Sequence, residues 1–165
     1  MSDAGLTGAE LMAWNEASAA KWKALVSARP EVLAIPCDIY RPGTVSELLQ
    51  HIVGAELRYA ERLLDVPVTD YGAIPSRTAE EIFATHDRAL EMFRGLLQDG
   101  AFDWKREIEF GTLTAGRLKA PRRAVFQHAM LHAVRHYAQL ATLGRQHGFG
   151  VGPLDYLLMA ARPVG

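Results

Sequence analysis

One cysteine, Cys37, stands in a chain of 165 residues. An intramolecular disulfide is therefore excluded, and so is a metal cage built from cysteines. No apolar run approaches the roughly 20 residues that span a bilayer. The start, Met1-Ser2-Asp3-Ala4-Gly5, lacks the basic residues and apolar stretch of a secretory signal. These absences lead to the expectation of a cytoplasmic protein with no membrane partner. Neither sign of charge is in excess, and the formal net charge of -1 gives no global attraction to nucleic acid or acidic lipid. What is present is ordinary for a globular chain: 49% hydrophobic and 22% charged residues. A chain of this length buries a core without covalent staples. The expected organisation is one domain over residues 1–165.

Helix signals punctuate the chain. Thr7-Gly8-Ala9-Glu10 reads as a capping box, in which the threonine caps the helix and the glutamate reaches back to it. Leu11, Trp14, Ser18, Trp22 and Leu25 follow at helical spacing, and the helix ends before Pro30. The segment from Pro30 to Gly43 reads as a connection with one helical turn at Glu31–Ala34. Thr44-Val45-Ser46-Glu47 is a second capping box, opening a helix to about Leu64. Thr78-Ala79-Glu80-Glu81 is a third, opening a helix to about Leu97, where Gln98-Asp99-Gly100 stops it with a C-terminal glycine.

Residues 104–119 alternate polar and apolar, which predicts a small exposed β-hairpin. Its strands are Arg106–Phe110 and Thr112–Leu118, with Gly111 between them. Pro121 suits a first helical turn, and the fourth helix runs to Gln146, ending at His147-Gly148. A short helix from Leu154 to about Ala161 closes the chain. Four helices of roughly 20 residues predict an all-α four-helix bundle.

Three of the six histidines, His128, His132 and His136, share the fourth helix. A step of four residues drifts about 40°, so the three lie on one stripe about 80° wide. Neighbours such as His132 and His136 can chelate one ion from successive turns. All three from one straight helix reach a single ion only with difficulty. A histidine on a helix face is commonly structural, but three in register point to a metal site. Met130, Val134, Tyr137 and Ala141 lie nearly opposite the stripe. That back face packs either on a helix of the same chain or on a second subunit. A third ligand must come from His51, His86, His147 or a carboxylate. His147, three turns beyond His136, is too far away. His51 shares a face with Glu47, Ala55, Arg58 and Tyr59, opposite the apolar Leu49, Val53, Leu57, Ala60 and Leu64. Periodicity alone turns it to solvent or to a polar cleft.

The stretch Glu47-Leu48-Leu49-Gln50-His51-Ile52-Val53-Gly54-Ala55-Glu56 resembles the first histidine signature of the DinB/YfiT-like superfamily. The run from His128 to Leu140 resembles the second, and Arg145–Phe149 with Leu154–Leu157 is similar to the usual ending. The resemblance covers nearly the whole chain. It implies an up-down-down-up four-helix bundle, often a homodimer, with a metal held by His51, His132 and His136. His128 matches an extra histidine one turn earlier. Many members follow the last ligand with Arg-Gly-Gln; here the residues are Tyr137-Ala138-Gln139.

Imidazole ligands suit a divalent transition metal, zinc or nickel first, with iron, manganese or copper as alternatives. Three protein ligands leave a coordination position open, as catalytic sites do. Gln139 and Glu47 lie on faces from which they could support the ligand rings, although Glu47 also fits a plain capping role. Arg58, two turns beyond His51, is a candidate for a substrate carboxylate. Cys37 reads as a small apolar residue near a loop. The resemblance further implies a metal-dependent enzyme that joins a low-molecular-weight thiol to a small electrophile. Hydrolysis by metal-activated water, or a non-catalytic dimeric metal-binding or stress-response module, are the alternatives.

Overall fold

The computed structural model describes residues 5–41, 43–112 and 114–164. Four long helices dominate: α1 (Gly8–Ala28), α2 (Val45–Leu63), α3 (Ala79–Gln98) and α4 (Arg122–Gln146). A short helix α5 (Tyr156–Ala160) ends the described chain, and single 3-10 turns occupy Pro30–Ala34 and Tyr71–Ala73. Among the described residues no helix is long and apolar enough to cross a membrane.

The capping signals act as read in two of three cases. Thr7 with Glu10 and Thr44 with Glu47 form complete boxes, each glutamate returning to its threonine's backbone N–H. At the third, Thr78 accepts from the Glu81 N–H, but the Glu81 carboxylate accepts from the Arg77 N–H instead. The end of α3 also departs from expectation. Its cap is Asp99, whose carboxylate accepts from the Ala101 N–H. An aspartate turn of this kind needs no left-handed residue, and Gly100 does not adopt a positive φ. At the end of α4 the expectation holds: Gly148 has φ +76°, and the Phe149 N–H closes back on the Gly144 carbonyl at 3.0 Å.

Two antiparallel strand pairs decorate the helices. β1 (Pro36–Cys37) pairs with β2 (Gly43–Thr44), a two-residue ladder too short to leave a pattern in the sequence. The expected hairpin is β3 (Glu107–Gly111) with β4 (Arg117–Pro121). Its second strand starts later than the alternation predicts. Thr112 belongs to the tip instead, where its hydroxyl accepts from the Ala115 N–H and its own N–H bonds the Gly116 carbonyl at 2.8 Å. Leu113, also expected in that strand, lies outside the described residues. Pro121 ends β4 and caps α4, so the strand runs straight into the helix.

The core shows how the bundle is wired. One apolar cluster holds Trp22 and Val26 of α1, Leu49 and Ile52 of α2, Ile82 and Phe83 of α3, and Tyr137 and Leu140 of α4. The other holds Leu11 and Met12, Leu57 and Leu63, Leu90 and Phe93, and Phe126 and Met130 from the same four helices in turn. Helices α1 and α4 start in the second cluster and end in the first; α2 and α3 run the other way. The wiring is therefore up-down-down-up. Each of α1 and α2 packs against both α3 and α4. Between the clusters lies a polar layer: buried Glu56 accepts from Asn15 at 2.6 Å and pairs with His86 Nδ1 at 2.7 Å.

Candidate metal centre

The direction of α2 against α4 sets His51 opposite the middle of the histidine stripe. His51 Nε2 and His132 Nε2 lie 3.1 Å apart, within hydrogen-bond distance, with the donor set by the tautomers. One ring nitrogen from each of His51, His132 and His136 falls within 4.8 Å of the others. The ring centroids are 4.9, 5.2 and 4.5 Å apart for the pairs 51–132, 51–136 and 132–136. Zn–N bonds of about 2.0–2.1 Å in tetrahedral array place ligand nitrogens roughly 3.3 Å apart, so this cluster needs only small ring adjustments to hold one ion. The donor set fits as well, since three imidazoles leave a position open for a further ligand.

His51 and His136 are buried and His132 is half-buried. Sequence periodicity left His51 between solvent and cleft. It faces the cleft, because Tyr40 stacks on its ring at 3.9 Å and covers the side that periodicity turned to water.

Burial sets the protonation of the cluster. It is the largest cause that lowers His51 to about 4, helped by the charges of His136, Arg41 and Arg135. It lowers His132 to about 2, with His136, His51, His128 and Arg135 acting in the same direction. His136 is lowered by burial and by Arg135, with Gln139 pulling weakly the other way. The rings are therefore neutral at pH 7, the form that ligates metal.

The remaining candidates separate. His128 is exposed, lies against Tyr59 with centroids 5.3 Å apart, and stands at the edge of the site one turn before His132. The Glu47 carboxylate is taken by the Thr44 backbone N–H at 2.8 Å and by the Thr44 hydroxyl, which is the capping role. His51 Nδ1, His132 Nδ1 and His136 Nδ1 are buried without a well-formed hydrogen bond; Glu47 is held by its cap, and Gln139 reaches only the His136 ring, on which it acts weakly. His86 belongs to the polar layer with Glu56, and His147 lies exposed at the end of α4. The Cys37 thiol is buried, and burial raises its pKa, which keeps it unreactive. The back face of α4 is covered within the chain: Met130, Val134, Tyr137 and Ala141 are all buried.

A cavity of about 500 Å³ opens onto the histidines. Arg58 lines it, as the sequence reading anticipated, with one guanidinium N–H donated to the Thr69 carbonyl. Arg62, Arg135, Tyr40 and Tyr71 line it too, and the sequence reading did not single them out. Arg135 could have been found, since it precedes His136 and falls three residues after His132, on the edge of the stripe. The two tyrosines come from connections, where no periodicity marks which way a side chain faces. The Tyr71 hydroxyl is buried and unpartnered among the described residues, and burial pushes its pKa up to about 12.

No curated protein matches the chain at a significant level. The model of the DinB family matches residues 1–162, nearly the whole length and all three histidines of the cluster. The chain belongs to the DinB family.

Proposed function

We propose that the chain is a metal-dependent enzyme that transfers a low-molecular-weight thiol to a small electrophile. The observation that carries this reading is the position of the triad on the wall of an open cavity of about 500 Å³. A purely structural or storage site gains nothing from such access, whereas a substrate requires it. His51, His132 and His136 would hold the ion, with zinc or nickel favoured by the all-nitrogen donor set. Such an ion, when bound, lowers the pKa of a thiol placed at its open position.

The protein's own groups supply the rest. The thiol loses its proton to solvent, its sulfur forms the new bond to carbon, and the leaving group departs with the electron pair. Neutral rings, kept so by burial, carry the lone pairs that ligation requires. Tyr40 fixes the plane of His51 by stacking. Arg58 points a cationic group along the cavity wall, where it can hold a carboxylate of the substrate.

The test is elemental analysis of chelator-free protein beside the His132→Ala, His136→Ala double variant. About one metal ion per chain in the parent, lost in the variant, is the expected result. Electrophile turnover should then require both metal and an added thiol. Turnover without any thiol would move the reading to hydrolysis, and a metal-loaded protein inert in both assays would move it to a non-catalytic role.

A further inference from the structure

The charges around the cavity are one-sided. Arg58, Arg62 and Arg135 line it, and among the described lining residues there is no aspartate or glutamate. Five arginines elsewhere pair with carboxylates: Arg29 with Glu31, Arg88 with Glu61, Arg94 with Glu16, Arg117 with Glu109, and Arg122 with Asp65; Arg41, Arg77, Arg106, Arg123, Arg145 and Arg162 make no such pair among the described residues. The three cavity arginines make no such pair among the described residues. Arg58 and Arg62 donate only to main-chain carbonyls, of Thr69 and Gly111. Arg62 also lies over the rings of Tyr59 and Phe110, at 5.3 and 5.9 Å. In a chain of net charge -1, three arginines without a carboxylate partner thus line one cavity. Low-dielectric walls strengthen such a field and draw anions into it.

Arg135 ties this charge to the histidines. Its Nη2 lies 3.2 Å from His136 Nε2, so its fork engages the very ring that would share the ion. Its charge also acts on His51, His128 and His132. A divalent ion held by three neutral imidazoles adds two positive charges to a cavity that already has three and, among its described lining residues, no carboxylate; Glu61 acts on Arg62 from outside the lining. An oxyanion in the cavity would cancel part of that charge. A bidentate pair with it would draw the Arg135 fork away from His136.

From this we propose that the substrate carries an oxyanion, and that this anion and the metal ion strengthen each other's binding, with Arg135 as the coupling residue. The proposal rests on the reading of the triad as a metal centre. Linkage makes the effect reciprocal: whatever factor the anion adds to metal affinity, the metal adds to anion affinity.

The test is zinc affinity measured by competition with a chromophoric chelator, which reports free zinc directly and so corrects for zinc complexed in solution. The parent is titrated alone, with succinate, with methylphosphonate, and with neutral succinamide. Either oxyanion should tighten zinc binding about tenfold, a coupling of ordinary size, and succinamide should not. The larger of the two effects identifies the substrate's head group as carboxylate or phosphonate-like. Arg135 is exposed, so Arg135→Gln should fold. That variant should bind zinc more tightly than the parent when no anion is added, and the anion effect should fall to about twofold or less. Equal zinc affinity with and without both oxyanions overturns the proposal and leaves the metal centre standing. An unchanged anion effect in Arg135→Gln overturns the role given to Arg135. No zinc binding by the parent under any condition overturns the metal centre, and the proposal with it.

Discussion

A single side chain in this site is defined by what it is denied. His51 keeps its lone pair because burial denies it a proton, holding its pKa at about 4. An unfolded histidine titrates near 6.5. Between these values the unfolded chain takes up protons that the folded one refuses. The His51 contribution to stability is therefore complete above about pH 6.5 and is lost as the pH falls toward 4. In the presence of a chelator, urea unfolding at pH 7 and pH 5 should show a loss on the order of 1–3 kcal/mol. His51→Gln, which cannot titrate, should show a smaller loss over the same interval. Equal losses in the two proteins would mean that His51 is protonated in the fold as readily as in the free chain.

At the scale of the element, each helix must present its residues at a fixed place along its axis, and its ends decide that place. The helix α2 carries His51 and starts at the Thr44 cap, whose hydroxyl accepts from the Glu47 N–H at 3.3 Å. Thr44→Ala removes that acceptor and should cost about 1 kcal/mol, seen as a lower urea midpoint with an unchanged slope. The end of α4 is set by close packing instead. A Cβ on Gly144 would stand 2.7 Å from Phe149 Cε2 and 3.1 Å from the Phe149 carbonyl oxygen. The ring could shift, but the backbone oxygen has nowhere to go. Gly144→Ala should therefore destabilise by about 1–3 kcal/mol, measured the same way, and a neutral result would show that the turn after α4 is free to move.

Across the whole molecule, the two apolar clusters are held in register by the layer of Asn15, Glu56 and His86. Burial works to lower the His86 pKa, but the charge and hydrogen bond of Glu56 outweigh it, and the net shift is upward. The contribution of this pair is therefore complete below about pH 6.5 and is lost as the pH rises through the raised value of His86. That is the opposite limb to the one governed by His51. Glu56→Ala leaves His86 buried without its partner and should cost roughly 3–5 kcal/mol near neutral pH. Glu56→Gln should flatten the alkaline limb and leave the acid limb intact. A Glu56→Ala protein as stable as the parent would show that the layer is decorative.

The sequence by itself determined the helices, their caps and the histidine stripe, because these are local. A threonine three residues before a glutamate, or histidines four residues apart, place their groups through the geometry of one helix. It also held the bundle class, and by resemblance the three histidines that cluster and the wiring. Its errors fell where the same residues can satisfy the backbone in more than one way: the Asp99 cap, the return of Glu81 to Arg77, and the tip of the hairpin at Thr112. Tertiary structure alone decided which way His51 faces, since Tyr40 arrives from a connection that has no period. It alone gathered Arg58, Arg62 and Arg135 onto one cavity whose described lining residues include no carboxylate. The sum of charges is a property of composition, but the field at one place depends on distances between segments far apart in the chain, and those exist only once the helices have packed.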